Sequence, residues 1–370
     1  MLNFYPLKWM TEKPNWLVFI VVLCLTGTIV AQEPKPQRIP VIEAHAHLSY
    51  GAAPAIARVM ETNGIRWMVN LSGGSPGRGM EQAVRLAEQM PGKVVNFYNP
   101  DWSRIDEPDF AELETFRMEI AAKRFGYRGL KISKHLGLGL RWKSGVLVDI
   151  DDPVLDPIWK KAGELNWPVA IHTGDPKAFF EPLTPDNERW DELKAHPSWS
   201  FAGPEYPRRA ELLAARDRVV GNFPQTVFIC VHFGNNPEDI DYVDSLLDRF
   251  PNVVLDIAAR VGEIGRHDAQ KVRQMFVKHQ DRILFGTDIG IGPHGLMLGS
   301  NGEIPPTYAD IKPFYDAHWR FLESNDRQID HPSPIQGNWK VDSIGLPREV
   351  LEKLYARNAS KLLGLPLDKP

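Results

Sequence analysis

A (β/α)8 barrel of the TIM type, with long insertions after strands four, five and eight, is the fold that the sequence predicts. Short apolar runs alternate with longer amphipathic stretches from Val41 to near the C-terminus. Eight such runs, each followed by a helical pattern, fit within one chain of 370 residues. Run after run ends in a histidine or a carboxylate, and a barrel would gather those ends at one mouth. A doubly wound open sheet is the other α/β arrangement, but no glycine-rich phosphate turn follows the first run.

The first strand, Val41–His47, ends in two histidines one residue apart, and the helix Pro54–Asn63 after it is closed by Gly64. Arg66–Leu71 is the second strand, followed by Gly-Gly-Ser-Pro-Gly and a helix over Met80–Met90. Lys93–Tyr98 is the third, and Asp109–Phe125 has the spacing of an amphipathic helix. Arg128–Ser133 is the fourth, with the insertion Lys134–Asp151 before the helix Pro153–Asn166. Pro168–His172 is the fifth, and it opens a loop, Thr173–Pro207, rich in Pro, Trp and charge, before the helix Arg208–Asn222. Thr226–His232 and Val253–Ile257 are strands six and seven, with helices Asp239–Arg249 and Ala269–His279. Ile283–Asp288 is the eighth. The last connection, Ile289–Pro347, holds a helix over Ile311–Leu322, and Arg348–Leu363 closes the chain.

The first 40 residues differ in kind. Trp16–Val30 is a nearly unbroken apolar run preceded by Lys8 and Lys13, and after Ala31 comes the polar, Pro-rich Gln-Glu-Pro-Lys-Pro-Gln. Residues 1–31 therefore read as a secretory signal peptide and residues 32–40 as a linker, so that residues 41–365 form a single domain. Export to the periplasm or the extracellular space follows. An uncleaved anchor is the alternative, although a membrane span needs roughly 20 apolar residues. Cys24 lies inside the apolar run without the small residue before it that a lipid-anchor signal carries. The exported chain would keep Cys230 alone, so no intramolecular disulfide can form and the core must rest on burial. A 43% hydrophobic and 24% charged chain is ordinary for a globular protein, and the net charge of −4 argues against a nucleic-acid surface. A homo-oligomer is compatible with this composition.

His45 and His47 project to one face if extended, as two imidazoles aimed at one point. His172, His232 and Asp288 end strands five, six and eight, and Lys131 and Lys134 lie on and just after strand four. Any one of these could be a hydrogen-bonded strand end, but four histidines and an aspartate at strand ends are much less readily an accident, and a barrel would bring them to the centre of one mouth. Arg260, after strand seven, is a candidate for a substrate carboxylate or a structural ion pair. Trp190, Trp199 and Phe201 suit either a lid over an organic substrate or a flap packed on itself. His135, His267, His279 and His294 are read as non-ligands.

This constellation resembles the amidohydrolase superfamily, and more closely its branch of metal-dependent hydrolases and aminocarboxymuconate and resorcylate decarboxylases. The resemblance covers about residues 41–365, including the closing Leu-Tyr-Ala-Arg-Asn-Ala-Ser-Lys-Leu-Leu-Gly of residues 354–364. It implies His45, His47, His172 and Asp288 as metal ligands, with Asp288 also handling the proton of the bound water. His232 would polarise the substrate or shuttle a proton, or bind a second ion in a two-metal site. One divalent ion, zinc first among the choices, is implied. Two ions bridged by a carboxylated lysine, at Lys131 or Lys134, are the other arrangement; the plainer role of these lysines is to hold a substrate carboxylate or phosphate, or simply to be solvated. The implied reaction is hydrolysis of a lactone, amide or ester-like bond of a small organic substrate. Non-oxidative decarboxylation is the alternative, and a catalytically silent barrel-fold binding protein is a third.

Overall fold

In the computed structural model, residues 38–293 and 295–367 are described. The expected signal peptide, Cys24, most of the Pro-rich linker and His294 lie outside the described residues.

The apolar runs form parallel strands. β1 (Val41–Leu48), β2 (Ile65–Asn70) and β3 (Val94–Asn96) pair in order, as do β4 (Leu130–Ile132), β5 (Val169–Ile171), β6 (Phe228–Cys230), β7 (Val253–Asp256) and β8 (Ile283–Leu284). Two seams close the ring. Tyr98, just past β3, bridges to β4 through Tyr98 N–H to Gly129 O and Lys131 N–H to Tyr98 O, both 2.8 Å. On the other side Ala44 N–H donates to Phe285 O and Asp288 N–H to His45 O, both 3.0 Å, so β8 lies against β1. A cluster of Ile42, Val69, Val95, Ala170, Ile229 and Leu284, drawn from β1, β2, β3, β5, β6 and β8, packs with Ala356, Ala359 and Leu363 of the C-terminal helix. Only the inside of a closed barrel brings those strands together.

The eighth strand departs from expectation. Its ladder stops at Leu284, a bend runs through residues 285–288, and β9 (Ile289–Gly292) then pairs parallel with β1 and antiparallel with β10 (Gly295–Leu298). Asp288 sits in that bend with φ +62°, a left-handed conformation unusual for a residue with a side chain. Gly286 is required there, because a Cβ at that position would lie 2.9 Å from the Cβ of His45. The local run of apolar residues carries no sign of the bend; the close approach of β8 to β1 imposes it.

The helices fall where their spacing predicts, among them Ala53–Asn63, Phe110–Phe125, Arg209–Asn222 and Ile311–Glu323. Ala53–Asn63 has proline in its first turn and ends on Gly64 at φ +68°. The helix expected from Pro153 starts as a 3-10 turn, and the α-helix runs Asp156–Glu164. The closing helix contains a π turn at Lys353–Arg357. The insertions after β4, β5 and β8 all leave from the C-terminal ends of their strands, the end that carries His47, His172, His232 and Asp288.

Candidate metal centre

β1 carries the first two ligand candidates. A register irregularity between Glu43 and Ala46 interrupts its pairing with β2, just where His45 begins the histidine pair. Each imidazole is oriented by one nitrogen. His45 Nδ1 bonds Asp256 Oδ2 at 2.8 Å, and His47 Nδ1 bonds Ser72 Oγ at 2.7 Å. Both Nε2 atoms then face Asp288 Oδ1, at 3.6 Å for His45 and 3.3 Å for His47. The ligand atoms of His45, His47 and Asp288 lie within 4.8 Å of one another.

His45 Nε2 and Asp288 Oδ1 are buried and have no hydrogen-bond partner among the described residues. Two orphaned polar atoms converging on one point are costly to bury unless something binds them. Imidazole nitrogens and a carboxylate oxygen are the donors a divalent transition metal takes, and a second hydrogen bond on the far ring nitrogen is how such ligands are aimed. The residues present therefore fit a divalent ion. Their protonation fits too. Burial pushes the His47 imidazole down against the pull of Asp288. Burial would raise the Asp288 carboxyl, but His45, His47 and Lys131 outweigh it and hold it at about 2. Neutral imidazole and ionised carboxylate are the binding forms.

His172 stands apart from the expected set. It follows β5 and its ring lies 4.4 Å from that of His232, but its Nε2 faces Asp175 Oδ1 at 3.2 Å, and it joins none of the metal-competent groups among the described residues. Asp175, three residues on in the same loop, reaches back to it and also pairs with Lys134. Burial lowers the His172 imidazole to about 4 even though Asp175 pulls the other way. Lys134 thus already has its carboxylate, and its ammonium lies over Phe179, Trp199 and Phe201 at 5.9, 5.3 and 5.5 Å. The loop after β5 packs on its own aromatic rings, with Phe180 on Phe201 and His196 on Trp199. Trp190 opens the short helix Trp190–Ala195, half-buried, and has no hydrogen bond or ring contact with the site among the described residues.

His232 occupies a left-handed turn after β6, with φ +54°. Its backbone N–H donates to Asp256 Oδ1 at 2.8 Å, and its Nδ1 donates to Ala258 O at 2.9 Å, which leaves Nε2 without the proton. Burial, reinforced by His172, Arg260 and His45, drives its imidazole well below the ordinary value, so the ring is neutral. Arg260 is 6% exposed, bonds Ala259 O at 2.7 Å, and has no carboxylate partner among the described residues. Lys131 is 4% exposed, and its Nζ has no hydrogen-bond partner among the described residues. Burial lowers its ammonium to about 8, against the attraction of Asp288 and Asp256. Two cations without a partner carboxylate among the described residues therefore border the site.

Reasoning from sequence missed Asp256, Ser72, Asp175 and Glu43. Asp256 ends β7 just as the named residues end theirs, and that position was the available signal. Of the other histidines, His267 bonds Pro237 O and His279 bonds Asp244, both outside the site. His135 begins a short turn after β4 and joins no metal-competent group among the described residues.

Comparison with known proteins bears on the family and the fold. Residues 78–365, well over half of the chain, match the family model described as Amidohydrolase, Amidohydro_2. That span takes in Lys131, His172, His232, Asp256 and Asp288, while His45 and His47 precede it. No curated protein matches by sequence. Among solved structures, a putative amidohydrolase from Staphylococcus aureus is 16% identical, with 88% of this chain and 100% of that one covered and a TM-score of 0.52. A TIM-barrel protein from Bordetella bronchiseptica is 15% identical over 88% and 99%, TM-score 0.52. The 2,6-dihydroxybenzoate decarboxylase from Rhizobium is 13% identical over 89% and 99%, TM-score 0.51. At such identities these structures share the barrel alone. With the family match extending from before β3 to the closing helix, the chain belongs to the amidohydrolase family.

Proposed function

We propose that the chain is a metal-dependent hydrolase that adds water to a lactone, amide or ester-like bond of a small organic molecule. The observation that supports this best is the convergence of His45 Nε2, His47 Nε2 and Asp288 Oδ1, with the two histidines aimed from behind by Asp256 and Ser72. A divalent ion bound there, zinc by this reading, supplies Lewis-acid activation of water and of the carbonyl. Asp288, ionised at neutral pH, has a second carboxylate oxygen that takes the water's proton. His232, with its Nδ1 committed to Ala258 O, keeps an unprotonated Nε2 for the proton that must reach the leaving group. Arg260 and Lys131 offer positive charge to an anionic part of the substrate.

Those same two cations favour a second reading, non-oxidative decarboxylation, in which they would hold the carboxylate that leaves. The Rhizobium barrel named above is such an enzyme, though the likeness is one of fold. Elemental analysis of the purified protein, followed by a panel of lactones, amides and aromatic carboxylates assayed for acid and for carbon dioxide release, separates the two. Stoichiometric metal in the His45→Ala/His47→Ala protein would remove the site on which both readings stand.

A further inference from the structure

We propose that Glu43 is a positioning residue for this centre, whose buried carboxyl clamps the bend of strand eight so that Asp288 faces His45 and His47. The proposal rests on the reading of those three residues as ligands. Glu43 touches neither the Nε2 atoms nor Asp288, so it acts through the backbone. It is fully buried, and three of its four bonds tie β1 to the bend or to the insertion after it, while the fourth stays within β1. Oε1 accepts from Thr287 N–H at 2.8 Å and from His45 N–H at 3.3 Å. Oε2 accepts from Thr287 Oγ1 at 2.9 Å and from the Tyr315 hydroxyl at 3.1 Å.

The need for such a clamp follows from the strand's path. Between Leu284 and Ile289 the ladder is broken, and Asp288 holds a left-handed φ that a residue with a Cβ keeps only when its surroundings over-determine it. Two backbone bonds flank the bend, from Ala44 to Phe285 O and from Asp288 to His45 O. Thr287, one of the two residues between them, has both its N–H and its hydroxyl on Glu43. The same carboxyl bonds His45 N–H inside the register irregularity of β1. One side chain thus sets both the strand that delivers the histidines and the bend that delivers the carboxylate. Tyr315, on the helix Ile311–Glu323, ties that unit to the last insertion. All four contacts fall on its two oxygens, and Glu43 joins no metal-competent group among the described residues.

The test is metal release from cobalt-loaded protein. Co2+ is bound in place of the native ion, its visible absorption band is recorded, and its loss to excess chelator is timed, with thermal unfolding followed in parallel. Outer-shell partners of metal ligands alter affinity by about 10–100-fold. Glu43→Ala is expected to release Co2+ about tenfold faster or more, and to shift the band as Asp288 moves. Glu43→Gln, whose amide oxygen meets both N–H donors while its amide N–H faces two hydroxyls able to accept, is expected to keep the wild-type band and rate. Thr287→Val removes one bond and is expected to fall between them, which keeps the test available if Glu43→Ala does not fold. A purely structural role would lower the unfolding temperature and leave the band unmoved. Wild-type band and release rate in Glu43→Ala, or in Thr287→Val if only that folds, overturns the proposal. The His45→Ala/His47→Ala protein is the control: if it also holds Co2+ as wild type does, the metal site itself is misread, whereas loss there with none at Glu43 defeats the clamp alone.

Discussion

Replacing Asp256 by asparagine isolates the contribution of a single proton position. Asp256 is buried at the end of β7 and makes three bonds: Oδ2 to His45 Nδ1 at 2.8 Å, and Oδ1 to the N–H groups of His232 at 2.8 Å and Ala258 at 3.1 Å. Asparagine can keep its carbonyl oxygen on the two backbone donors and turn its NH2 toward His45. Nδ1 of His45 must then accept rather than donate, which moves the ring proton to Nε2, the atom that faces the ion. A protonated nitrogen cannot ligate. Losing an outer-shell partner costs about 10–100-fold in metal affinity, or about 1.4–2.8 kcal/mol at about 1.4 kcal/mol per tenfold. Because the backbone donors stay paired, stability is expected to change by less than about 1 kcal/mol. Asp256→Ala differs: it strands two buried N–H groups at about 1–3 kcal/mol each, so unfolding free energy drops by about 2–6 kcal/mol. Competition with a chelator of known affinity measures the first effect and urea denaturation the second. If Asp256→Asn binds metal as tightly as the wild type, the assigned tautomer, and with it the ligand role of His45 Nε2, is wrong.

Asp288→Asn keeps one ligating oxygen but loses basicity, so metal is expected to be partly retained while turnover falls by about two to four powers of ten; full activity would reduce Asp288 to at most a structural ligand. His232→Asn is expected to lower turnover with the metal content unchanged if the site holds one ion, and a drop from two ions to one by elemental analysis would reveal a second. Stability is expected to rise with pH through His318, which is buried with its imidazole lowered from 6.5 to about 4 by desolvation, partly offset by its bond to Phe314 O. Because the folded pKa lies below the unfolded one, unfolding takes up a proton between those values. The contribution is therefore full above pH 6.5 and is lost as pH falls toward 4, by at most about 3 kcal/mol. Urea titrations at several pH values should show this slope reduced in His318→Leu, and an unchanged slope would refute it. Mass spectrometry of protein from its native host is expected to find a chain starting near Gln32, whereas an intact Met1 in the membrane fraction would favour the anchor.

The barrel was legible in the sequence because the period of apolar residues is a local property. A strand buried in the ring must be apolar, and a helix covering it must alternate with a period near 3.6, wherever the rest of the chain lies. The strand-end residues were legible for the same reason. His47, His172, His232 and Asp288 each stand where an apolar run stops, and a closed barrel has one face for such ends. Strand eight was misjudged because Ile283–Asp288 has no local break signal beyond Gly286, and the bend is set by contact with His45.

What the tertiary structure alone decided is which atom of each side chain is available. His45 Nε2 is free because Nδ1 is taken by Asp256, 211 residues away. His47 Nε2 is turned to Asp288 because Ser72 holds the other nitrogen. His172, by contrast, meets Asp175, and Lys134 meets the same carboxylate, so the fold gives both lysine and histidine a partner that spacing did not foretell. Glu43 finds Thr287 across 244 residues, and no local pattern announces that bond. Periodicity fixes which residues reach the mouth of the barrel, whereas hydrogen-bond partners brought together from distant strands fix the tautomer, the rotamer and the charge with which they arrive.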